Sequence, residues 1–94
     1  MKEKKREISE IDRLVSRKLR FRRMQLGVTQ SMIAKYINVT VQQVQKYELA
    51  INRISSGKLY HIAKFLGVPI GYFFDENEWF VTKEIWSFMT KEVS

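Results

Sequence analysis

At 94 residues the chain suits a single domain, with 45% hydrophobic residues, a formal net charge of +7 and no cysteine. A domain of this size buries only about 60–65% of its unfolded surface, so one modest core is expected, without disulfide staples or thiolate metal sites. A lone His61 excludes a His-rich metal centre, and no apolar run approaches the ~18 residues of a membrane span, so neither metal nor membrane is expected.

The charged start, Met1 to Glu7, is followed by no apolar stretch of the signal-peptide kind, and a cytoplasmic location is expected. The charge is unevenly spread. Residues 1–26 hold ten Lys and Arg against four acids, residues 27–74 hold five against Glu48 alone, and residues 75–94 hold two against five. The first three quarters suit a polyanionic partner, although such charge also serves solubility; the last quarter does not.

Residues 1–8 read as a basic flexible arm. Ser9 caps a first helix with Asp12 at its third position, and Ile11, Val15, Leu19 and Leu26 come next at helical spacing, with Arg22 and Arg23 between. Gly27 ends that helix. Thr29 caps a short second helix whose inward residues are Ile33, Ala34 and Ile37, and Asn38 tolerates the left-handed turn after it. Thr40-Val41-Gln42-Gln43 reads as a capping box that opens a third helix running to about Ala50. After the loop Ile51-Asn52-Arg53-Ile54, either Ser55 or Ser56 caps a fourth helix with Leu59, Ile62, Ala63 and Leu66 inward. Gly67-Val68-Pro69 stops it, and Pro69 suits the first turn of a short fifth helix, Ile70–Phe74. An acidic break at residues 75–78 precedes a sixth helix, Trp79–Val93. Strand alternation, repeats and linkers are absent from the sequence. The expected fold is all-α: a compact five-helix domain over residues 9–74 and an additional C-terminal helix within 75–94.

The third helix carries the most chemistry. With Val41 at zero and about 100° per residue, Val44, Tyr47 and Glu48 fall near 300°, 240° and 340°, one inward side. Val41, Gln45, Gln42 and Lys46 fall at about 0°, about 40°, about 100° and about 140°, an outward side. Gln pairs bidentately with adenine, Lys reaches guanine O6 and N7, and Val contacts a thymine methyl, so these four are the candidate base readers of a helix in a DNA major groove. Gln43, at about 200°, ranks lower because the capping box claims its side chain.

Arg23, Gly27-Val28-Thr29-Gln30, Ile33-Ala34, Val39-Thr40, Val44, Tyr47-Glu48 and Leu66-Gly67-Val68 stand in an order and spacing that is specific together, though each is weak alone. From Leu19 to Phe74 the chain resembles the phage repressor and Cro (XRE) family of helix-turn-helix domains, and in Asn52-Arg53-Ile54-Ser55 through Tyr60-His61-Ile62-Ala63 and in Pro69-Ile70-Gly71-Tyr72-Phe73-Phe74 it resembles the small alphaproteobacterial members of that family. Asn38 stands where that family often has Gly, and Arg22 where it often has an apolar residue; the Arg22 stem still packs while its charge reaches solvent or phosphate.

The resemblance implies a repressor-like fold and a regulator, a repressor by family tendency, that binds double-stranded DNA. It places Gln30, Thr40, Asn52 and Arg53 at DNA phosphates and pairs Arg23 with Glu48 to position the third helix. Trp79, Phe80, Ile85, Trp86 and Met89 are too apolar for a solvated helix: the segment either packs on the domain's own core or forms a dimer contact, and these five are the candidates for a homodimer interface that sets two half-sites about 34 Å apart. A different class, a protein-interaction module such as an antitoxin or adaptor, would use that aromatic segment on a partner. No nucleophile–base pair, metal set or phosphate-cradling glycine loop is present, so no catalytic residue, cofactor or small-molecule ligand is expected.

Overall fold

A computed structural model of the chain describes residues 8–76. The arm residues 1–7, the expected sixth helix, Trp79–Val93, and with it the dimer candidates Trp79, Phe80, Ile85, Trp86 and Met89 lie outside the described residues. Among the described residues, four α-helices and one 3₁₀ helix occur in order: α1 (Glu10–Leu26), α2 (Gln30–Ile37), α3 (Val41–Glu48), α4 (Ser56–Leu66) and a 3₁₀ helix at Ile70–Phe74. The expected all-α class is observed.

Local chemistry sets most boundaries. The Ser9 hydroxyl accepts the Asp12 N–H at 3.2 Å, and the Asp12 carboxylate accepts the Ser9 N–H at 2.9 Å, so the box that opens α1 is complete. Thr29, Thr40 and Ser55 cap α2, α3 and α4, each accepting from the N–H three residues on. Asn38 closes α2 in the left-handed region at φ 62°, and Gly27 and Gly67 close α1 and α4 there.

The core forms where these helices meet. Val15 and Leu19 of α1, Ile33, Ala34 and Ile37 of α2, Val44 and Tyr47 of α3, and Leu59, Ile62, Ala63 and Leu66 of α4 close around Phe73. Each large side chain buried in this way contributes about 1.5–3 kcal/mol. Ile11 and Leu26, expected inward, are exposed. They lie in the end turns of α1, which is about 25 Å long and overruns helices of about 12 Å.

Three helix C-termini are closed by side chains from other helices. Lys58 Nζ donates to Ile37 O at 3.2 Å, the Ser16 hydroxyl donates to Tyr47 O at 2.6 Å, and Arg22 Nε donates to Leu66 O at 3.1 Å. The last carbonyls of a helix have no intrahelical donor and sit at the negative end of its dipole, so a donor or cation there is doubly favoured. Arg22 was expected to reach solvent or phosphate; it instead closes α4 and reaches Gln25 Oε1 at 3.1 Å. The Leu66 carbonyl ends α4, where the helix dipole favours a cation.

Other departures share this local logic. Only the forward half of the α3 capping box forms among the described residues: Thr40 Oγ1 accepts from the Gln43 N–H at 3.1 Å. A long Gln side chain loses more rotamer freedom than Asp12 does in folding back. The fifth expected helix is 3₁₀, with Pro69 as its N-cap rather than in its first turn. Five residues that must bring Phe73 into the core favour the tighter winding.

The third helix ends at Glu48 instead of Ala50. The Ile51 N–H donates to Lys46 O at 2.9 Å and the Ala50 N–H to Tyr47 O at 3.2 Å, the paired bonds of a Schellman turn, with Ala50 left-handed at φ 59°. An L-residue is strained there by about 1–2 kcal/mol, partly offset by the stiffer unfolded chain that Ala gives relative to Gly. Ala50→Gly is therefore expected to raise the unfolding free energy by about 0.5–1 kcal/mol in urea titration; a loss of stability would contradict the left-handed turn.

Candidate nucleic-acid interface

The two sides of α3 separate as the sequence pattern predicts. Val44, Tyr47 and Glu48 are buried, while Gln42, Gln45 and Lys46 are exposed. Val41 is half-buried and leans on the core, which leaves only part of its side chain for any outside contact. Thr40 is exposed at the start of the helix, its hydroxyl held by the Gln43 N–H. A run of three long polar side chains therefore projects from a short helix whose other side is fixed in the core.

Fixing is the work of Glu48, whose side chain is 0% exposed. Its carboxylate accepts from Arg23 through Nε and, at 3.1 Å, Nη2 in a bidentate pair, and from Gln30 Nε2 at 2.9 Å. Arg20 Nη1 lies 4.0 Å away. Arg23 spends its remaining Nη1 on Val28 O at 2.9 Å, just before α2. A buried carboxylate is tolerated only when charge and hydrogen bonds replace its lost water, and here α1 and α2 supply both. One side chain thus ties the end of α3 to the end of α1 and the start of α2.

The expected Arg23–Glu48 pair is present. Gln30, expected at a phosphate, has this internal partner as well, which its sequence position does not reveal. Asn52 is half-buried in the loop after α3, with its N–H on Lys46 O at 3.3 Å. Arg53, also expected at a phosphate, places Nε 2.9 Å from Asp12 Oδ2. Partial burial by itself raises the Asp12 carboxyl, but the Ser9 N–H, the Ser9 hydroxyl and the Arg53 guanidinium outweigh it and hold the group below the ordinary carboxylate value. The loop after α3 is in this way pinned to the first turn of α1.

Sequence reasoning missed Arg20 and Ser16. Arg20 is readable in hindsight, since it stands three residues before Arg23 and shares its helix side. Ser16 carries no such signal, because its partner is a backbone carbonyl 31 positions away.

Residues 19–73 match the helix-turn-helix family. Over 73 residues the chain is 48% identical to an uncharacterized transcriptional regulator in the ATPase CF(0) region of Rhodospirillum rubrum, covering 78% of this chain and 68% of that protein. It is 45% identical over 71 residues to an uncharacterized HTH-type transcriptional regulator of Rickettsia conorii, covering 76% and 57%. A third such regulator, from Sinorhizobium medicae, is 37% identical over 76 residues, covering 81% and 55%. The chain thus spans little more than half the length of the latter two. Among solved structures, a hypothetical transcription factor, NHTF, from Neisseria superposes with a TM-score of 0.68 at 15% identity, covering 86% of this chain and 93% of that one, a likeness of fold.

Removing the Glu48 carboxylate would leave Arg23 and Arg20 with uncompensated charge in a dry site. Glu48→Ala is expected to cost about 3–5 kcal/mol of stability in urea denaturation. A cost below about 1 kcal/mol, the worth of an exposed pair, would show that the carboxylate is not buried as described.

Proposed function

The chain belongs to the helix-turn-helix family of DNA-binding transcriptional regulators, and from that membership we propose that it is a cytoplasmic, dimeric, sequence-specific repressor that lays α3 in the major groove of duplex DNA. The observation that carries this reading is the division of α3. Gln42, Gln45 and Lys46 stand exposed in adjacent turns while Glu48 anchors the same helix from behind. Their amides and ammonium are the groups that discriminate adenine and guanine edges in the major groove. The half-buried Val41 adds a small apolar contact suited to a thymine methyl.

Backbone contacts surround these readers. Thr40 sits at the start of α3 and Gln30 at the start of α2, where helix N-termini favour phosphate. Asn52 and Arg53 come directly after α3, and Arg53 exchanges its Asp12 partner for a phosphate when DNA arrives. Such contacts set affinity and register but carry no sequence choice. The aromatic segment with Trp79, Phe80, Ile85, Trp86 and Met89 joins two copies, so that a two-fold axis presents α3 twice, about one helical turn of DNA apart. Neither a cofactor nor a small-molecule ligand enters this reading.

Selection from randomised duplexes is expected to enrich a two-fold site, bound with an affinity that falls steeply with salt as counterions are released. Gln42→Ala and Lys46→Ala are each expected to relax selection at individual base pairs by about 1–3 kcal/mol. Arg53→Ala should weaken all sequences alike and lower the salt slope by about 1. If Gln42→Ala and Lys46→Ala both leave the selected sequence and its discrimination unchanged, α3 is not the reader.

A further inference from the structure

Seven consecutive residues of α1, Leu14 to Arg20, are all buried. Seven residues are nearly two full turns, so α1 is covered all the way round there. An amphipathic helix on a small domain normally leaves its outer side in water. Val15 and Leu19 face the central core, but Leu14, only 2% exposed, is not part of it. Arg17 and Lys18, one turn on from Leu14 and so on its side of the helix, are 9% and 1% exposed.

The end of the described chain runs along this outer side. The Tyr72 hydroxyl donates to Lys18 O at 3.4 Å, and the Lys18 ammonium lies 4.5 Å from the Tyr72 ring centre. Four residues later Glu76 lines a cleft of about 230 Å³ together with Glu10, Ile11 and Leu14. The chain therefore passes from Lys18 back toward the start of α1, and its described part ends beside Ile11 and Leu14. The sequence beyond Glu76 is rich in large apolar residues: Trp79, Phe80, Val81, Ile85, Trp86, Phe88 and Met89. Its three acids, Glu78, Glu84 and Glu92, outnumber its two lysines, Lys83 and Lys91, a slight negative balance opposite the Arg17 and Lys18 charges on that side of α1.

We propose that residues 77–94 of the same chain dock on the outer side of α1, seated on Ile11 and Leu14 with Arg17 and Lys18 alongside. This rests on the role given to the aromatic segment and deepens it: one side of the segment is fixed to α1, whose Arg23 holds Glu48, and the other stays open to a second copy. Its test involves no DNA, so its outcome is separate from that of α3 as reader.

Trp79 and Trp86 are the two tryptophans of the chain, so tryptophan emission reports on this segment. Ile11 is 42% exposed, so Ile11→Glu disturbs the seat without opening the core, and Met32→Glu at 49% exposure on α2 serves as control. In the full chain, emission is expected to be blue-shifted and shielded from acrylamide. Ile11→Glu should shift it to the red and raise quenching while far-ultraviolet circular dichroism and the denaturation midpoint of the core hold, and Met32→Glu should change neither. Emission that is already solvent-like, or that is indifferent to Ile11→Glu, overturns the proposal. A dilute monomer whose emission keeps none of the shielding also overturns it, because the seat is then filled by a second copy; shielding that the monomer keeps, and Ile11→Glu removes, supports it.

Discussion

A single buried carboxylate sets the geometry on which the rest of the molecule depends. Glu48 lies in the last turn of α3, out of reach of water, and draws its hydrogen bonds from α1 through Arg23 and from α2 through Gln30. Each donor must be on its own helix, at its own register, for the charge to be satisfied. A slip of α3 by one residue would turn Glu48 away and strand Arg23. The pair therefore converts electrostatic need into a fixed angle and depth for the helix that presents Gln42, Gln45 and Lys46. Whether it adds net stability over an apolar trio is a separate matter, since buried ion pairs often only break even against hydrophobic packing.

That constraint matters because α2 and α3 have eight residues each. Helices so short are not stable on their own, and packing and end effects must hold them. The structure meets this with crossing side chains. Lys58 of α4 closes α2, and Ser16 and Arg22 of α1 close α3 and α4, so these three helix ends are each completed from another helix. Arg53 on Asp12 adds a fourth tie, between the loop behind α3 and the cap of α1. The polar contacts thus run between elements, and the apolar core fills the space they enclose.

Much of this was legible in the sequence because its signals are local. Ser9, Thr29 and Thr40 marked helix starts, Gly27, Asn38 and Gly67 marked ends, and the 3.6-residue period chose the buried sides of α2, α3 and α4. The outward grouping of Gln42, Gln45 and Lys46 came from the same period. What sequence could not give was tertiary. Ala50 has no Gly or Asn signature, so its left-handed turn and the early end of α3 were hidden. Gln30 and Arg53 read as phosphate contacts and Arg22 as reaching solvent or phosphate, because their internal partners, Glu48, Asp12 and Leu66 O, are 18, 41 and 44 positions away. Ile11 and Leu26 fit the period of α1 but lie beyond the helices it packs on. The resemblance supplied the Arg23–Glu48 pair, which composition and spacing alone do not single out.

The central claim is that Arg23 and Glu48 act as one unit in placing α3. A double-mutant cycle with Arg23→Met and Glu48→Gln, read by urea denaturation, tests it most directly. The account predicts strong non-additivity, with the double variant losing about 1–3 kcal/mol less than the two single losses combined. Additive losses within about 0.5 kcal/mol would mean that the two side chains do not share a buried contact, and the anchoring of α3 would have to be sought elsewhere.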